Sequence, residues 1–243
     1  MAKIIVITGA STGIGAATAR ILAEGNDIFI HYNASRESAE QTAAEVQEHG
    51  GTAHLVQADL FGEAGCDALF SEVAVMTNRI DVLVNNAGAL VQRQGIGEME
   101  WSLIDRVFSL NTFSTMFLTS LFLPLLEKGT DPCIVNITSI AARHGAPTAT
   151  LYGAAKGAID SFTRGAAAEL APKIRVNAVA PGVIDTPFHE RYSTPQRMEM
   201  FRKNTPVDRN GRPEDVARAI RFLIENEFIT GETIDVNGGL FMR

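Results

Sequence analysis

"TGASTGIG", residues 8–15, directly follows the apolar run Ile4–Ile7 and holds three glycines within seven residues. Glycine weakens strands and helices, so three of them here indicate a sharp bend at which a ligand can approach the backbone. A helix that begins near Gly13 would offer free N–H groups and the positive end of its dipole to an anion. The stretch predicts a strand, a turn and a helix, with either a pyrophosphate on the turn or a glycine-rich turn without a ligand.

The rest of the chain alternates short β-branched runs with helix-like stretches. Several runs are apolar through most of their length, which suits strands covered on both faces, as in a parallel sheet. The predicted strands are Ile4–Ile7, 28–31, 54–57, 82–84, 134–137, 175–179 and 234–236. The predicted helices are 14–24, 37–48, 67–77, 103–126, 151–170 and Pro213–Glu225. We predict an α/β fold, a single doubly wound Rossmann-type domain over residues 1–243, with about seven parallel strands and helices on both faces.

Residues 184–209 interrupt this alternation with a long polar segment that contains three prolines. Such an insertion is either a lid over a binding site or a surface elaboration, and we favour a substrate lid. The expected edge of the pocket consists of Arg143, His144, His189 and Tyr192. Arg143 or His144 could recognise a polar or anionic substrate, or be ordinary loop residues.

Composition and charge exclude several classes of partner. The net charge of −7, from 28 acidic and 21 basic residues, argues against nucleic acid and anionic lipid. The two cysteines, Cys66 and Cys133, have no metal-ligand spacing, and no metal site is predicted. The apolar region 110–126 contains Asn111 and Pro124 and falls short of a bilayer span, and the N-terminal apolar run is too short for a signal peptide. We expect a cytoplasmic protein without a membrane segment.

Further turns follow other predicted strands, at the sheet edge where ligands of such folds bind. Asp59 could accept a hydrogen bond from an adenine amino group, or cap a helix before Leu60. Residues 85–88, "NNAG", and 180–182, "APG", supply small side chains against which a ring could lie. The spacing of Gly9, Gly13 and Gly15 departs from the common G-x-G-x-x-G fingerprint, so the glycine turn by itself is a weak signal. The further turns at the same sheet edge strengthen the nucleotide interpretation.

Tyr152 and Lys156 stand four residues apart at the start of a predicted helix, so both project from one face. An ammonium near a phenol is expected to lower the phenol pKa, which would let Tyr152 exchange a proton with a substrate oxygen. The alternative is a packed tyrosine followed by a solvated lysine. Ser139, at the end of a strand, could bond the same oxygen or cap a turn. Asn111 could cap a helix segment or hold a water near Lys156.

Together these residues resemble the classical short-chain dehydrogenase/reductases across essentially the whole chain. The matching pieces are "TGASTGIG", "NNAG", Asn111, Ser139, "YGAAK", "RVNAVAPG" and "GETIDVNGG". The resemblance implies an NAD(P)(H)-dependent oxidoreductase that moves hydride between nicotinamide and a carbonyl or alcohol carbon. It also implies a homotetramer in which residues 110–126 and 151–170 pack across an interface.

The resemblance implies catalytic roles for four residues. Tyr152 is the implied general acid/base, Lys156 binds the nicotinamide ribose and lowers the tyrosine pKa, Ser139 contacts the substrate oxygen, and Asn111 anchors a relay water. The implied nucleotide contacts are Gly9, Ser11, Thr12, Gly13, Ile14, Gly15, Asp59, Leu60, Asn85, Ala87, Gly88, Tyr152, Lys156, Pro181, Gly182, Val183 and Thr186. Val183 and Thr186 are implied to close over the nicotinamide amide.

The turn after the second predicted strand bears on the choice of nucleotide. Residues 28–36 contain no acid, so nothing there would repel a 2′-phosphate. Asn33, Ser35 and Arg36 could bind that phosphate, which favours NADP(H) and leaves NAD(H) possible. Two observations weaken this preference: the glycine turn carries no base, and Arg36 could simply begin the next helix.

The sequence narrows the substrate less. The chain looks nearest to bacterial 3-oxoacyl-acyl-carrier-protein reductases, but "FITGETIDVNGG" and "GRPEDVA" also occur in sugar and polyol dehydrogenases of this family. An acidic carrier protein needs a basic patch, whereas Lys128 is flanked by Glu127 and Asp131. We expect a small-molecule carbonyl or alcohol substrate. A non-catalytic nucleotide-binding sensor or scaffold is the alternative of another class, disfavoured by the intact set of four catalytic residues.

Overall fold

The seven predicted strands form one sheet in the computed structural model, which describes residues 2–242. Every pairing is parallel, in the order β3-β2-β1-β4-β5-β6-β7. The strands are β1 Ile4–Ile7, β2 Asp27–Tyr32, β3 Thr52–Gln57, β4 Val82–Asn85, β5 Cys133–Ile137, β6 Arg175–Pro181 and β7 Thr233–Val236. The predicted fold class is confirmed; Met1 and Arg243, the ends of the predicted domain, lie outside the described residues.

Helices cover both faces of this sheet. They are α1 Gly13–Ile21, α2 Arg36–Glu48, α3 Glu63–Met76, α4 Trp101–Phe108, α5 Ser114–Leu126, α6 Ala141–His144, α7 Thr150–Leu170, α8 Pro187–Tyr192, α9 Pro195–Asn204 and α10 Pro213–Glu225, with a short 3-10 turn at Ile96–Glu98. Alternate residues of β1 face opposite layers, because successive strand side chains point to opposite sides. Ile5 and Ile7 pack in the layer of α1, α2 and α10, whereas Val6 packs in the layer of α3, α5 and α7.

The predicted helix 103–126 differs from the structure at its start and in its middle. The helical stretch begins at Trp101, and a π-helical turn, Ser109–Phe113, separates α4 from α5. Asn111 lies in this turn and is fully buried. π-helical turns inside α-helices are often found at functional sites. By length and composition Trp101–Leu126 could cross a membrane, but half of it is buried in the fold, as in a core helix.

Residues 184–209, which we call the lid, form a closed loop at the carboxyl edge of the sheet. Two backbone hydrogen bonds of Gly211 close the base of this loop. The Gly211 N–H donates to the Val183 carbonyl, and the Gly211 carbonyl accepts from the Asp185 N–H, both at 2.9 Å. The lid contains α8 and α9. A Cβ on Gly13 would lie 3.2 Å from Cγ2 of Thr186, so the first residues of the lid lie against the glycine turn.

Candidate active site

The glycine turn has the backbone geometry that its sequence predicts. Gly9 and Gly13 have φ angles of +62° and +57°, which favour glycine. A Cβ on Gly15 would lie 2.6 Å from Nδ2 of Asn86 and 2.8 Å from Cα of Ala10. No side chain caps the first turn of α1, so its N–H groups remain available to an anion. This cradle fits a dinucleotide diphosphate.

Asn86 holds this cradle against the "NNAG" loop. Its Nδ2 donates to the carbonyls of Thr8 and Gly9, at 2.8 and 3.0 Å. The Thr8 hydroxyl accepts from the backbone N–H groups of Asn86 and Ala87, both at 2.9 Å. The sequence analysis missed Asn86, although the second asparagine of "NNAG" was available as a signal.

His31 is a second residue that the sequence analysis missed. Nδ1 accepts from Gly9 N–H at 2.9 Å, and Nε2 lies 3.1 Å from the Ala58 carbonyl. Accepting at Nδ1 requires the tautomer with hydrogen on Nε2, which then donates to Ala58. The side chain is 3% exposed, and burial lowers its pKa to about 4 despite Asp59 and the Ala58 bond. Neutral His31 thus joins the glycine turn to the turn that carries Asp59.

We expect this buried histidine to make folding depend on pH. The unfolded chain protonates His31 near pH 6.5 and the folded chain near pH 4. Stability contributed by the neutral imidazole is therefore lost as the pH falls from 6.5 to 4, up to about 3 kcal/mol. His31→Asn should reduce this pH dependence in urea unfolding and weaken nucleotide binding, whereas replacing exposed His49 should do neither. A parent-like pH dependence in His31→Asn would contradict the assignment.

Three predicted catalytic side chains meet beyond the carboxyl end of β5. The hydroxyl of Tyr152 is hydrogen-bonded to Ser139, and Nζ of Lys156 lies 5.9 Å from the centre of the Tyr152 ring. Nζ donates to the Ile137 carbonyl at 2.8 Å, which fixes the lysine under the strand end. The hydroxyl of Ser139 also accepts from Ala141 N–H at 3.1 Å. The cluster can bind a substrate oxygen and exchange a proton with it.

The expected lowering of the Tyr152 pKa is not found in the structure. Burial raises it to about 12, although the hydrogen bond with Ser139 acts in the opposite direction. Burial also lowers the pKa of Lys156 to about 8, because the ammonium has lost its water. Lys156 donates to a carbonyl and stands beside the ring rather than at its oxygen. Tyr152 is consequently protonated at neutral pH and ready to donate.

The buried Asn111 side chain supports the loop that follows "NNAG". Oδ1 accepts from Ala89 N–H at 3.1 Å, and Nδ2 donates to the carbonyls of Ala89 and Val107, at 2.8 and 2.9 Å. A Cβ on Gly88 would lie 2.7 Å from Oδ1 of Asn111 and 3.2 Å from Nζ of Lys156. Gly88 thus lets the "NNAG" loop pass directly over Lys156.

Two predicted nucleotide contacts face the protein interior instead. The Asn85 side chain is buried, and its Nδ2 donates to Asn136 and Thr119, at 2.9 and 3.2 Å. The Leu60 side chain is also buried, in the layer of α3 and α5. Strand alternation turns the Asn85 side chain inward, and packing against α3 and α5 buries the Leu60 side chain. Neither side chain can therefore contact a nucleotide. Asp59 stays exposed, but its Oδ1 accepts from Phe61 N–H at 3.1 Å.

The turn after β2 leaves the predicted phosphate contacts accessible. Asn33, Ser35 and Arg36 are all exposed. Arg36 is the first residue of α2, and its Nε donates to Glu40 at 2.8 Å with 74% of its side chain exposed. This exposed pair contributes little to stability, so the guanidinium can move to another anion.

The remaining predicted contacts lie along the same edge. Ser11 and Thr12 precede α1, and Ile14 lies within it. The carbonyl of Pro181 accepts from Ile140 N–H at 3.1 Å, which joins the "APG" turn to the Ser139 turn. Gly182 is required there because a Cβ would lie 2.8 Å from Cα of Asn237. Arg143 is not available for substrate, since it pairs with Asp160 and Asp235 at 3.2 and 3.4 Å.

Comparison with known proteins shows the family of this chain. Residues 9–241 match the family model described as enoyl-(acyl carrier protein) reductase. The chain is 35% identical over 244 residues to the cyclopentanol dehydrogenase of Comamonas sp. (strain NCIMB 9872), over 98% of this chain and 96% of that protein. The chain belongs to the short-chain dehydrogenase/reductase family. It is an oxidoreductase, and the earlier alternative of a non-catalytic sensor or scaffold is set aside.

Two solved structures of similar proteins carry nucleotide information in their names. The angucycline C-6 ketoreductase LanV with bound NADP has a TM-score of 0.89 at 28% identity, over 98% of this chain and 95% of LanV. The NADH-dependent reductase A1-R′, responsible for alginate metabolism, has a TM-score of 0.91 at 31% identity, over 100% of this chain and 98% of that one. The family and the NADP of LanV support a nicotinamide cofactor for this short-chain dehydrogenase/reductase.

Proposed function

We propose that this protein transfers hydride between a nicotinamide nucleotide and the carbonyl or secondary alcohol carbon of a small or medium-sized substrate. The observation that carries the proposal is the Ser139, Tyr152 and Lys156 cluster beside a loop whose Gly88 has no room for a Cβ. When bound, the nucleotide supplies or accepts the hydride. The chain itself must then bind the substrate oxygen and move one proton.

The cluster assigns these tasks to different side chains. Ser139 holds the substrate oxygen beside the Tyr152 hydroxyl, to which it is hydrogen-bonded. Tyr152 donates its proton as the carbonyl becomes an alkoxide, and accepts one in alcohol oxidation. Nζ of Lys156 lies 5.9 Å from the centre of the Tyr152 ring. When this amine is protonated, its positive charge stabilises the phenolate that forms as Tyr152 gives up its proton. The half-buried Tyr152 and buried Lys156 limit water in this space.

The substrate class is proposed from the site and its relatives. Cyclopentanol dehydrogenase and LanV act on a cyclic alcohol and a ketone by their names, which favours ketones and secondary alcohols here. A sugar or polyol remains the alternative. A 3-oxoacyl carrier-protein substrate is less favoured, because Lys128 is flanked by Glu127 and Asp131 and not by further basic residues.

A panel of cyclic ketones, aldehydes, acyl thioesters and sugars, assayed by nicotinamide absorbance with NADPH and with NADH, tests this function. We expect turnover of at least one ketone. Acyl thioesters as the best substrates would restore the carrier-protein alternative, and sugars as the best substrates would establish the polyol alternative. No turnover of any class, with nucleotide bound, would contradict the proposal.

We propose NADP(H) as the preferred nucleotide, with NAD(H) possible. The exposed turn of Asn33, Ser35 and Arg36 contains no acid, but Glu40 stands 2.8 Å from the guanidinium. Arg36→Ala should raise the dissociation constant of NADPH by about tenfold and that of NADH by less than about twofold, since only NADPH carries the 2′-phosphate. Arg221→Ala, which removes a similar exposed pair with Glu225, is the control. Equal losses for both nucleotides, or tighter NADH binding by the parent protein, would reverse the preference.

We further propose a cytoplasmic homotetramer. Apolar side chains stand exposed on the long helical stretch and near α10, including Trp101 at 81% and Phe228 at 100%. Phe222 and Phe228, exposed together at the end of α10, form an apolar patch of the kind that a subunit interface covers. Sedimentation at the mass of one 26.2 kDa chain would contradict the tetramer.

A further inference from the structure

Two arginines, Arg93 and Arg197, lie where the lid meets the loop that follows "NNAG", close enough for their charges to interact. Arg93, in the loop that follows "NNAG", donates from Nε to the Tyr192 carbonyl at 2.9 Å and from Nη1 to the Thr148 hydroxyl at 3.5 Å. It therefore touches the lid and the loop that leads into α7. Arg197 lies in the first turn of α9, where its N–H donates to the capping Thr194 hydroxyl at 3.3 Å.

These arginines share an environment without a carboxylate partner. Within residues 2–242, neither guanidinium forms an ion pair, and Nε of Arg197 is buried without a hydrogen-bond partner. Burial and the charge of Arg197 lower the pKa of Arg93. Burial and both arginines also lower the pKa of His189 to about 4, against the opposing charge of Asp185. With one carboxylate, Asp185, near two guanidinium groups, these side chains carry a net positive charge.

An aromatic chain joins this site to the proton donor. The Phe188 ring lies 5.8 Å from the Tyr152 ring and 5.2 Å from both His189 and Tyr192. The Arg197 guanidinium lies 5.7 Å from the Phe201 ring. The Phe188 ring thus connects Tyr152 with Tyr192, whose carbonyl binds Arg93. Guanidinium groups bind carboxylates with paired, charge-assisted hydrogen bonds.

We propose that Arg93 and Arg197 bind the carboxylate of an anionic substrate, so that the enzyme reduces oxo acids or oxidises hydroxy acids. The inference rests on the proposed oxidoreductase function and names its substrate class. In the reduction, hydride adds to the carbonyl carbon, Tyr152 protonates the oxygen, and the carboxylate stays unchanged on the arginines. Arg143, one of the two residues first expected to recognise an anion, pairs with two acids.

The kinetic test compares levulinate with its uncharged methyl ester, each with NADPH and NADH. We expect kcat/KM for levulinate to exceed that for the ester by about ten- to a hundredfold, because only the acid reaches the arginines. Arg197→Gln should lower kcat/KM for levulinate and leave kcat/KM for the ester unchanged, which removes the preference. Arg197→Lys should keep part of the preference. Arg202→Gln, on the same helix but paired with Glu199 and Asp208, is the matched control and should change neither.

Equal kcat/KM for acid and ester in the parent, or parallel losses for both in Arg197→Gln, would overturn the proposal and leave the arginines as lid anchors. A binding measurement decides the question if neither compound is reduced, an outcome that bears on the proposed function separately. Calorimetry of the NADPH-loaded protein should then show valerate binding at least about tenfold tighter than valeramide, with the difference lost in Arg197→Gln. Equal binding of the two would reject the carboxylate site.

Discussion

Tyr152→Phe is expected to lower kcat by about a hundred- to ten-thousandfold, the usual contribution of one general acid. The substitution removes the hydroxyl that is hydrogen-bonded to Ser139 and leaves the ring beside Lys156 and Phe188. Nucleotide affinity should change by less than about threefold, because the glycine cradle is untouched. The measurement is single-turnover reduction of the best ketone, together with nucleotide binding by fluorescence.

Tyr192→Phe is the matched control for this prediction. Tyr192 contacts the same Phe188 ring, at 5.2 Å, but its hydroxyl belongs to the lid and not to the Ser139 cluster. It should retain turnover within about threefold of the parent. Parent-like turnover in Tyr152→Phe would remove the phenol from the mechanism. Equal losses in the two variants would mean that the Tyr152 hydroxyl has no role beyond that of the Tyr192 hydroxyl.

The strands of this fold could be predicted closely, whereas features that depend on distant contacts could not. β1 and β5 are short runs of mostly apolar, β-branched residues, and this composition predicts strands that are buried on both faces. The π-helical turn around Asn111 could not be predicted, because its side chain bonds Ala89 in a loop 22 residues away. Local periodicity carries no information about such a partner.

The candidate site divides in the same way. Tyr152, Lys156 and Ser139 could be predicted because a helical spacing and a strand end bring them to one edge. The direction of the Tyr152 pKa could not, since it depends on how much water the folded cleft removes. His31 was missed because a histidine in an apolar strand gives no local sign of the two bonds it makes to Gly9 and Ala58. Arg93 and Arg197 were missed because only the folded lid brings them together.

Gly15→Ala should damage the nucleotide cradle directly. Its Cβ would lie 2.6 Å from Nδ2 of Asn86 and 2.8 Å from Cα of Ala10, in a turn whose backbone cannot retreat. Asn86 would have to release the carbonyls of Thr8 and Gly9, so the first N–H groups of α1 would lose their alignment. We expect at least about tenfold weaker nucleotide binding and a free energy of unfolding lower by about 1–3 kcal/mol.

Gly165→Ala separates this effect from the general effect of replacing a glycine. Gly165 is exposed in the middle of α7, with nothing within 4 Å of an added Cβ. Alanine there should stabilise the helix by about 0.5–1 kcal/mol and leave nucleotide binding unchanged. Urea unfolding and fluorescence titration with NADPH measure both quantities. Parent-like affinity in Gly15→Ala would mean that the diphosphate does not rest on this turn, and a loss of stability without a loss of affinity would assign Gly15 to packing alone.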